Sequence, residues 1–309
     1  MNTINNQNKF SIKNYLNEDF SENSSFLLQF CASEVHDKPL LFDHVNLALD
    51  YFDTEKIIIS EPLVNELKAG YSYLTASIVC LDALIDNQPL GSNLTNPEIA
   101  KALSLLLVGS LNRFRNFATL AGIKDSKISS SINLLFSDLA NALYEGEKNS
   151  KLISSMDIQS DREIIVNSAR HVLFLFELVA TACCKQVPQY ICDAIKDFIY
   201  LTKLEDDLTD WKEDFISGRY NSSFLKECFI KFDHTPSIEE LENLIYINGY
   251  YELWLSKIAI DFESVKDKLR ISEKRESLLV KYTDTYQSGI KQRISEIIAE
   301  KRRYLETTT

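Results

Sequence analysis

Two aspartates four residues apart interrupt an apolar stretch in the first third of the sequence. The segment YLTASIVCLDALIDNQ carries Asp82 and Asp86 near its end. On a helix, residues at this spacing project from the same face, about one turn apart. The preceding residues are apolar or small on every side, so the helix should be buried, where an unpaired carboxylate is costly. The spacing predicts that this face meets a cation or a water-filled cavity; the alternative is two ordinary aspartates at a helix end before Pro89.

A second acidic cluster lies further along the chain, in KLEDDLTDWKEDFISGRYN. Asp206, Asp210 and Asp214 form an i, i+4, i+8 ridge on one predicted helix, with Asp207 beside it. Like charges at this spacing repel by ~1–3 kcal/mol per close pair at an effective dielectric of about 20. A solvated helix face normally interleaves basic residues, but Lys203 borders only the first turn. The pattern therefore indicates a missing positive charge, and carboxylate oxygens suit Mg²⁺ shared with substrate phosphates.

The composition and the spacing of prolines predict a helical protein. The 309 residues include only eight Gly and six Pro, with 45% hydrophobic residues, and no Asn-Gly or Asp-Gly signal separates alternating strands. Ser237 with Glu240 three residues later indicates a capped helix start. Helices are predicted at about 40–52, 61–87, 96–123, 127–147, 161–185, 188–217, 237–269 and 272–304. We expect one all-α domain over residues 1–309, with residues 1–20 disordered or loosely attached.

The net charge argues against one class of partner, and the hydropathy pattern predicts a location. A net charge of −12 argues against nucleic acid as a partner, because a phosphate backbone demands clustered Lys and Arg. From the polar, Asn-rich start we expect no signal peptide, and no run of about 18 apolar residues predicts an integral membrane segment. A cytoplasmic location is therefore expected.

Together, the two acidic motifs resemble those of the class I isoprenoid synthase superfamily. This superfamily includes trans-prenyl diphosphate synthases, squalene and phytoene synthases, and class I terpene cyclases. DDLTD resembles the second aspartate-rich motif of the prenyl synthases, and DWKEDFISGR resembles the DxxED…GR element of squalene and phytoene synthases. The resemblance covers roughly residues 40–300 in layout and is specific only at the two motifs.

The resemblance implies a fold, a metal and a set of site residues. The fold would be a bundle of about eight or more long helices around a central apolar cavity, and homodimers are common in the superfamily. Three Mg²⁺ ions would hold a prenyl diphosphate, with the catalytic residues Asp82, Asp86, Asp206 and Asp210. The metal ligands implied are Asp82, Asp86, Asp206, Asp207, Asp210 and Asp214. The basic residues implied for the diphosphate are Arg170, Arg162, Arg113, Arg219 and Lys203, with Arg170 favoured because it sits between apolar turns.

Departures from the superfamily pattern favour one activity over another. Chain-elongating enzymes carry a Gly-Lys-Arg element before the first motif, whereas here no Arg precedes Arg113. This favours a terpene cyclase that ionises one allylic diphosphate, although cyclases usually have an Asn/Ser/Glu second motif. Ile78, Thr75 and Leu74, one and two turns before Asp82, are not aromatic, which indicates a C15 to C20 or longer substrate. The alternatives are a prenyltransferase, head-to-head, chain-elongating or using another acceptor, and a non-catalytic partner subunit of a prenyl synthase.

Overall fold

The structure is a computed structural model that describes residues 12–36, 40–53, 59–86, 94–150, 158–220, 222–270 and 277–308. These residues are almost entirely helical and contain no strand, which confirms the predicted all-α class. The helices are α1 (Ile12–Phe20), α2 (Ser24–His36), α3 (Leu40–Asp53), α4 (Glu61–Asp86), α5 (Asn96–Leu120), α6 (Asp125–Ser150), α7 (Ile158–Ser168), α8 (Arg170–Ala182), α9 (Gln189–Ser217), α10 (Ser223–Phe229), α11 (Ile238–Glu242), α12 (Tyr250–Arg270) and α13 (Leu278–Thr308). A 3₁₀ turn spans Ser21–Asn23 and a π-helical turn spans Asn243–Ile247.

Two of the predicted helices are broken in the structure. The helix predicted at 161–185 is instead α7 and α8, which meet at Ala169 with a bend of 58°. The helix predicted at 237–269 is instead α11, the π-helical turn and α12. This break coincides with Gly249, whose φ of +77° lies outside the helical region. The capped start of α11 is confirmed, because Ser237 accepts the N–H of Glu240 and the Glu240 carboxylate accepts the N–H of Ser237.

The contacts divide the chain into two compact units. Unit 1 comprises residues 1–134 and 174–186, and unit 2 comprises residues 135–173 and 187–309. Helices α6 and α8 each contribute residues to both units. The expected single domain stays a prediction.

Unit 1 is organised by the close approach of α4 and α5. The hydroxyl of Ser110 on α5 donates to the carbonyl of Gly70 on α4 at 3.0 Å. A Cβ added at Gly109 would lie 2.5 Å from the Phe20 ring and 3.0 Å from the Tyr73 ring. Position 109 therefore favours glycine, because a side chain there would overlap the rings of Phe20 and Tyr73.

The N-terminal helix α1 is tied to unit 1 by a buried cation, which corrects the expectation that residues 12–20 are loosely attached. Leu16 is completely buried, and Arg113, whose side chain is 6% exposed, donates to three carboxylates. Two of them belong to Glu18 and Asp19 of α1, at 3.0 and 2.7 Å, and the third belongs to Glu66 of α4, at 2.7 Å. Residues 1–11 of the predicted loose segment lie outside the described residues. The expectation missed α1 because the partner of its acidic residues lies far away in the sequence.

Unit 2 is organised around α9, which spans 29 residues and packs against α7, α10 and α12. Phe198 of α9 contacts the rings of Phe262 on α12 and Tyr286 on α13, with centroids 5.6 and 5.8 Å apart. The helix ends at Gly218, whose φ of +74° is the left-handed conformation typical of a helix C-terminus. Glycine permits the chain to reverse there at little conformational cost.

No single helix in the described ranges is both long and apolar enough to cross a membrane. The helices α7 and α8 pass that test only when they are taken together across their bend.

We expect Gly109→Ala to lower the free energy of unfolding by about 1–3 kcal/mol, because its methyl group overlaps the Phe20 ring. The matched control is Gly289→Ala on α13, where nothing lies within 4 Å of the added Cβ. That control should raise the free energy of unfolding by about 0.5–1 kcal/mol through helix propensity alone. Chemical denaturation of both variants checks the pair, and equal effects would contradict the close approach of α1, α4 and α5.

Candidate functional site

The candidate site is built on the C-terminal half of α9. Leu204, Leu208 and Trp211 are all buried, and their spacing of four and three residues places them along one side of the helix. The acidic residues occupy positions between these anchors. We use the term acidic cluster for the four aspartates of this segment, Asp206, Asp207, Asp210 and Asp214.

The four carboxylates of the acidic cluster have different environments. Asp206 and Asp210 are exposed, and Asp214 is half-buried. Asp207 is only 5% exposed, because it lies on the side of α9 that faces α10. The predicted ridge of three equivalent carboxylates is therefore an exposed pair followed by a half-buried residue, with a buried carboxylate beside it.

Two basic residues already contact the acidic cluster. Lys203 Nζ lies 2.9 Å from Asp206 Oδ2 and 3.6 Å from Asp207 Oδ1. Arg219 Nη2 lies 3.4 Å from Asp214 Oδ1. The positive charge that the sequence pattern indicates as missing is thus supplied in part by the chain itself.

The position of Arg219 follows from the end of α9. The N–H groups of Gly218 and Arg219 bond to the carbonyls of Phe215 and Asp214, at 3.2 and 2.9 Å, which closes the last turn. The left-handed conformation of Gly218 turns the chain back, so that Arg219 lies beside the side chain of Asp214. A glycine directly after a helical segment is the signal that predicts such a reversal from sequence.

Burial raises the pKa of the Asp207 carboxyl to about 6. The positive charge of Lys203 and the Ser223 N–H, which donates to Asp207 Oδ2 at 3.1 Å, act in the opposite direction. Burial, opposed by Arg219 and Lys203, also raises the pKa of Asp214. Lys203 itself is partly desolvated, but Asp207 and Asp206 outweigh that effect and raise its pKa. The site thus combines a stabilised ammonium group with a carboxylate that is costly to ionise.

Sequence reasoning missed a second network that adjoins the acidic cluster. Glu205 accepts bonds from Arg293 Nη1 and from the Tyr286 hydroxyl, both at 2.8 Å, and both donors lie on α13. Arg293 also bonds to Tyr251 of α12 and lies 3.4 Å from the Thr209 hydroxyl. Arg293 is 88 positions from Glu205 in sequence, so no local pattern connects them. This network fixes α9 against α12 and α13 next to the acidic cluster.

The other basic candidates lie in ion pairs away from the acidic cluster. Arg170 lies 3.4 Å from Asp138, and Arg162 pairs with Asp197. Arg113 belongs to the buried network of unit 1, where its donors are occupied by protein carboxylates. Among the predicted basic residues, Lys203 and Arg219 are therefore the two that contact these aspartates in the described part of the chain.

The first aspartate pair lies at the end of α4, in unit 1. The helix is buried over residues 69–77, as predicted, but the Asp82 side chain is exposed. Asp86 is the last residue of α4, and its side chain lies outside the described residues. The joint action of this pair with the acidic cluster of unit 2 stays a prediction.

The acidic cluster fits Mg²⁺ in the chemistry of its donors, because all of them are carboxylate oxygens. Within the described ranges, no group of three His, Cys, Asp or Glu side chains is close enough to hold a metal ion. The ion pairs with Lys203 and Arg219 occupy carboxylate oxygens that a metal would use. Metal binding here would therefore require these two cations to move.

A scan against models of protein families finds no match to this chain, and a search of curated proteins also finds none.

We expect Asp207→Asn to raise stability at pH 8 and to have little effect at pH 4. The folded pKa of Asp207, about 6, exceeds its ordinary value of 3.8, so the folded state binds this proton more tightly. Its contribution to stability is therefore present below about pH 4 and is lost as the pH rises through 6. The amide of the Asn variant does not ionise, so the variant avoids this loss of stability, which is about 1–3 kcal/mol at pH 8.

Denaturant titrations at pH 4 and pH 8, with a chelator present, measure this difference. The matched control is Asp206→Asn, an exposed position in the same cluster, which should change stability by less than about 0.5 kcal/mol. An Asp207→Asn effect that is the same at both pH values would contradict the raised pKa.

Proposed function

We propose that this chain is a class I isoprenoid synthase-like enzyme. It would ionise a C15 to C20 or longer allylic prenyl diphosphate, release inorganic diphosphate and cyclise the resulting carbocation. The observation that supports this most is Asp207, a buried carboxylate kept beside three other aspartates of the same helix. Burying a carboxylate at an energetic cost, within a group of like charges, is typical of functional sites.

The acidic cluster would hold Mg²⁺ through the exposed carboxylates of Asp206 and Asp210, with Asp214 and Asp207 behind them. Bound Mg²⁺ supplies charge that stabilises a departing diphosphate. Lys203 and Arg219 lie within 3.6 Å of the cluster carboxylates. These two cations are the donors that would bind the phosphate oxygens of the substrate and favour its ionisation.

A second candidate function is a non-catalytic partner subunit of a prenyl synthase. The observation that favours it is the internal neutralisation of the cluster, since Lys203 and Arg219 already pair with three of its four aspartates. A cluster that is stable without an added cation has less need of a metal. The prenyltransferase alternative rests on the sequence DWKEDFISGR and differs from the cyclase by requiring a second substrate.

The decisive assay incubates the purified protein with Mg²⁺ and, separately, C10, C15 and C20 allylic diphosphates, each with and without isopentenyl diphosphate. Released diphosphate and extractable hydrocarbons are measured. A hydrocarbon or terpene alcohol formed from one allylic diphosphate alone would support the cyclase. A longer diphosphate that forms only with isopentenyl diphosphate would instead support a chain-elongating prenyltransferase.

We expect Asp210→Asn and Asp82→Asn each to lower kcat/KM by about 100-fold or more, because each removes a carboxylate that would bind metal at the leaving group. The matched control is Asp261→Asn, an exposed aspartate of α12 that makes no ion pair among the described residues, and it should retain activity. Unchanged turnover in both site variants would overturn the metal assignment. If the folded wild-type protein converts none of these substrates, the result favours a non-catalytic partner subunit.

A further inference from the structure

Unit 2 contains a depression at the N-terminal half of α9, separate from the acidic cluster. It has a volume of about 540 Å³ and lies between α7, α9 and α12. Three basic side chains from these three helices line it, Arg162, Lys196 and Lys268. Three carboxylates line it as well, so the depression carries no net charge, whereas the whole chain carries −12.

This depression already binds an anionic group of the protein. Asp197 accepts a bond from Arg162 Nη2 at one carboxylate oxygen and from Lys268 Nζ at the other. The Arg162 guanidinium also lies over the Tyr200 ring, 5.5 Å from its centroid, which holds the guanidinium in place from a second side. Arg162 and Lys268 thus converge on one carboxylate, that of Asp197.

Two further donors, one basic and one amide, line the depression. Lys196 makes no ion pair, and Asn167 makes no side-chain hydrogen bond, among the residues that the structure describes. Both side chains are partly exposed within the depression. A ligand bound there would thus gain a third cation and an amide donor that Asp197 alone does not use.

The acidic residues of the depression do not make it a cation site. Asp193 accepts a bond from Gln189 at 2.9 Å, and Asp197 is held by its two cations. Glu163 is exposed at the margin. No group of acidic, His or Cys side chains in the described ranges is arranged to hold a metal ion, and this depression is no exception. An anion that bears several negative charges is the ligand that the free donors favour.

We propose that this depression binds a small phosphate-bearing anion, which displaces Asp197 from Arg162 and Lys268 and adds Lys196. The planar guanidinium of Arg162 matches phosphate oxygens in a bidentate manner, and the lysines add point charges. Asp197 and Asp207 are ten residues apart on α9, about 15 Å along the helix axis. The depression needs no metal and does not rest on the enzyme activity proposed above.

Isothermal titration calorimetry with inorganic diphosphate, in buffer containing EDTA, tests the proposal. The chelator removes Mg²⁺, so metal-dependent binding at the acidic cluster does not contribute. We expect Lys196→Gln to weaken the Kd about 10-fold, because it removes one cation that contacts the ligand. The matched control is Lys281→Gln, which makes the same charge change at an exposed lysine of α13 outside the depression, and its Kd should be unchanged.

Asp197→Asn provides a test in the opposite direction. The amide no longer neutralises Arg162 and Lys268, so diphosphate should bind about 5-fold or more tighter than to the wild-type protein. A purely structural role for Asp197 would leave the Kd unchanged or weaken it. Circular dichroism verifies the helical content of the variant. If Asp197→Asn does not fold, the comparison of Lys196→Gln with Lys281→Gln still tests the proposal.

Citrate, a multivalent carboxylate of similar charge, separates phosphate recognition from general charge attraction. Tighter binding of diphosphate than of citrate supports the proposal. Equal Kd values for the two anions would overturn the phosphate assignment, and equal Kd values for the wild-type protein, Lys196→Gln and Lys281→Gln would overturn the site.

Discussion

The physical constraint on which unit 2 depends is that α9 must bury an apolar side along its length while carrying a high density of carboxylates. Leu204, Leu208 and Trp211 satisfy the first requirement. Because their positions are fixed by the helical repeat, the acidic residues can only be distributed among the remaining directions. One of those directions faces α10, and this is why Asp207 is buried whereas Asp206 is exposed.

The negative charge of these carboxylates is partly balanced by basic residues of the same chain. Lys203 reaches the two carboxylates three and four positions later, and Arg219 returns to Asp214 after the turn at Gly218. The Lys203–Asp206 and Arg219–Asp214 pairs are partly exposed, so each contributes only modestly to stability. The pairs are therefore weak enough to be exchanged for a stronger partner, which is a useful property for a ligand site and an undesirable one for a purely structural element.

The sequence predicts the helices of this chain better than it predicts their interruptions and their partners. Long apolar periodicity located α4, α5 and α9 to within a few residues, because local spacing alone determines an amphipathic helix. The break at Ala169 carries no proline or glycine, so neither of the usual helix breakers marks it in the sequence. The acidic cluster was visible for the same local reason as the helices. The contacts of its basic residues cannot be predicted in the same way, because a lysine three or four positions away reaches a carboxylate only in some side-chain conformations.

The ion-pair network of Arg113 has a consequence for handling the protein. The guanidinium is nearly inaccessible to water, and two of its three carboxylate partners, Glu18 and Asp19, lie at the end of α1. A truncation or a protease cut that removes α1 would remove two of the three carboxylates and the Tyr15 ring that lies against the guanidinium, and the loss of these partners is destabilising. Shortened versions of the chain should therefore begin before Ile12, although the first helix contributes none of the candidate site residues.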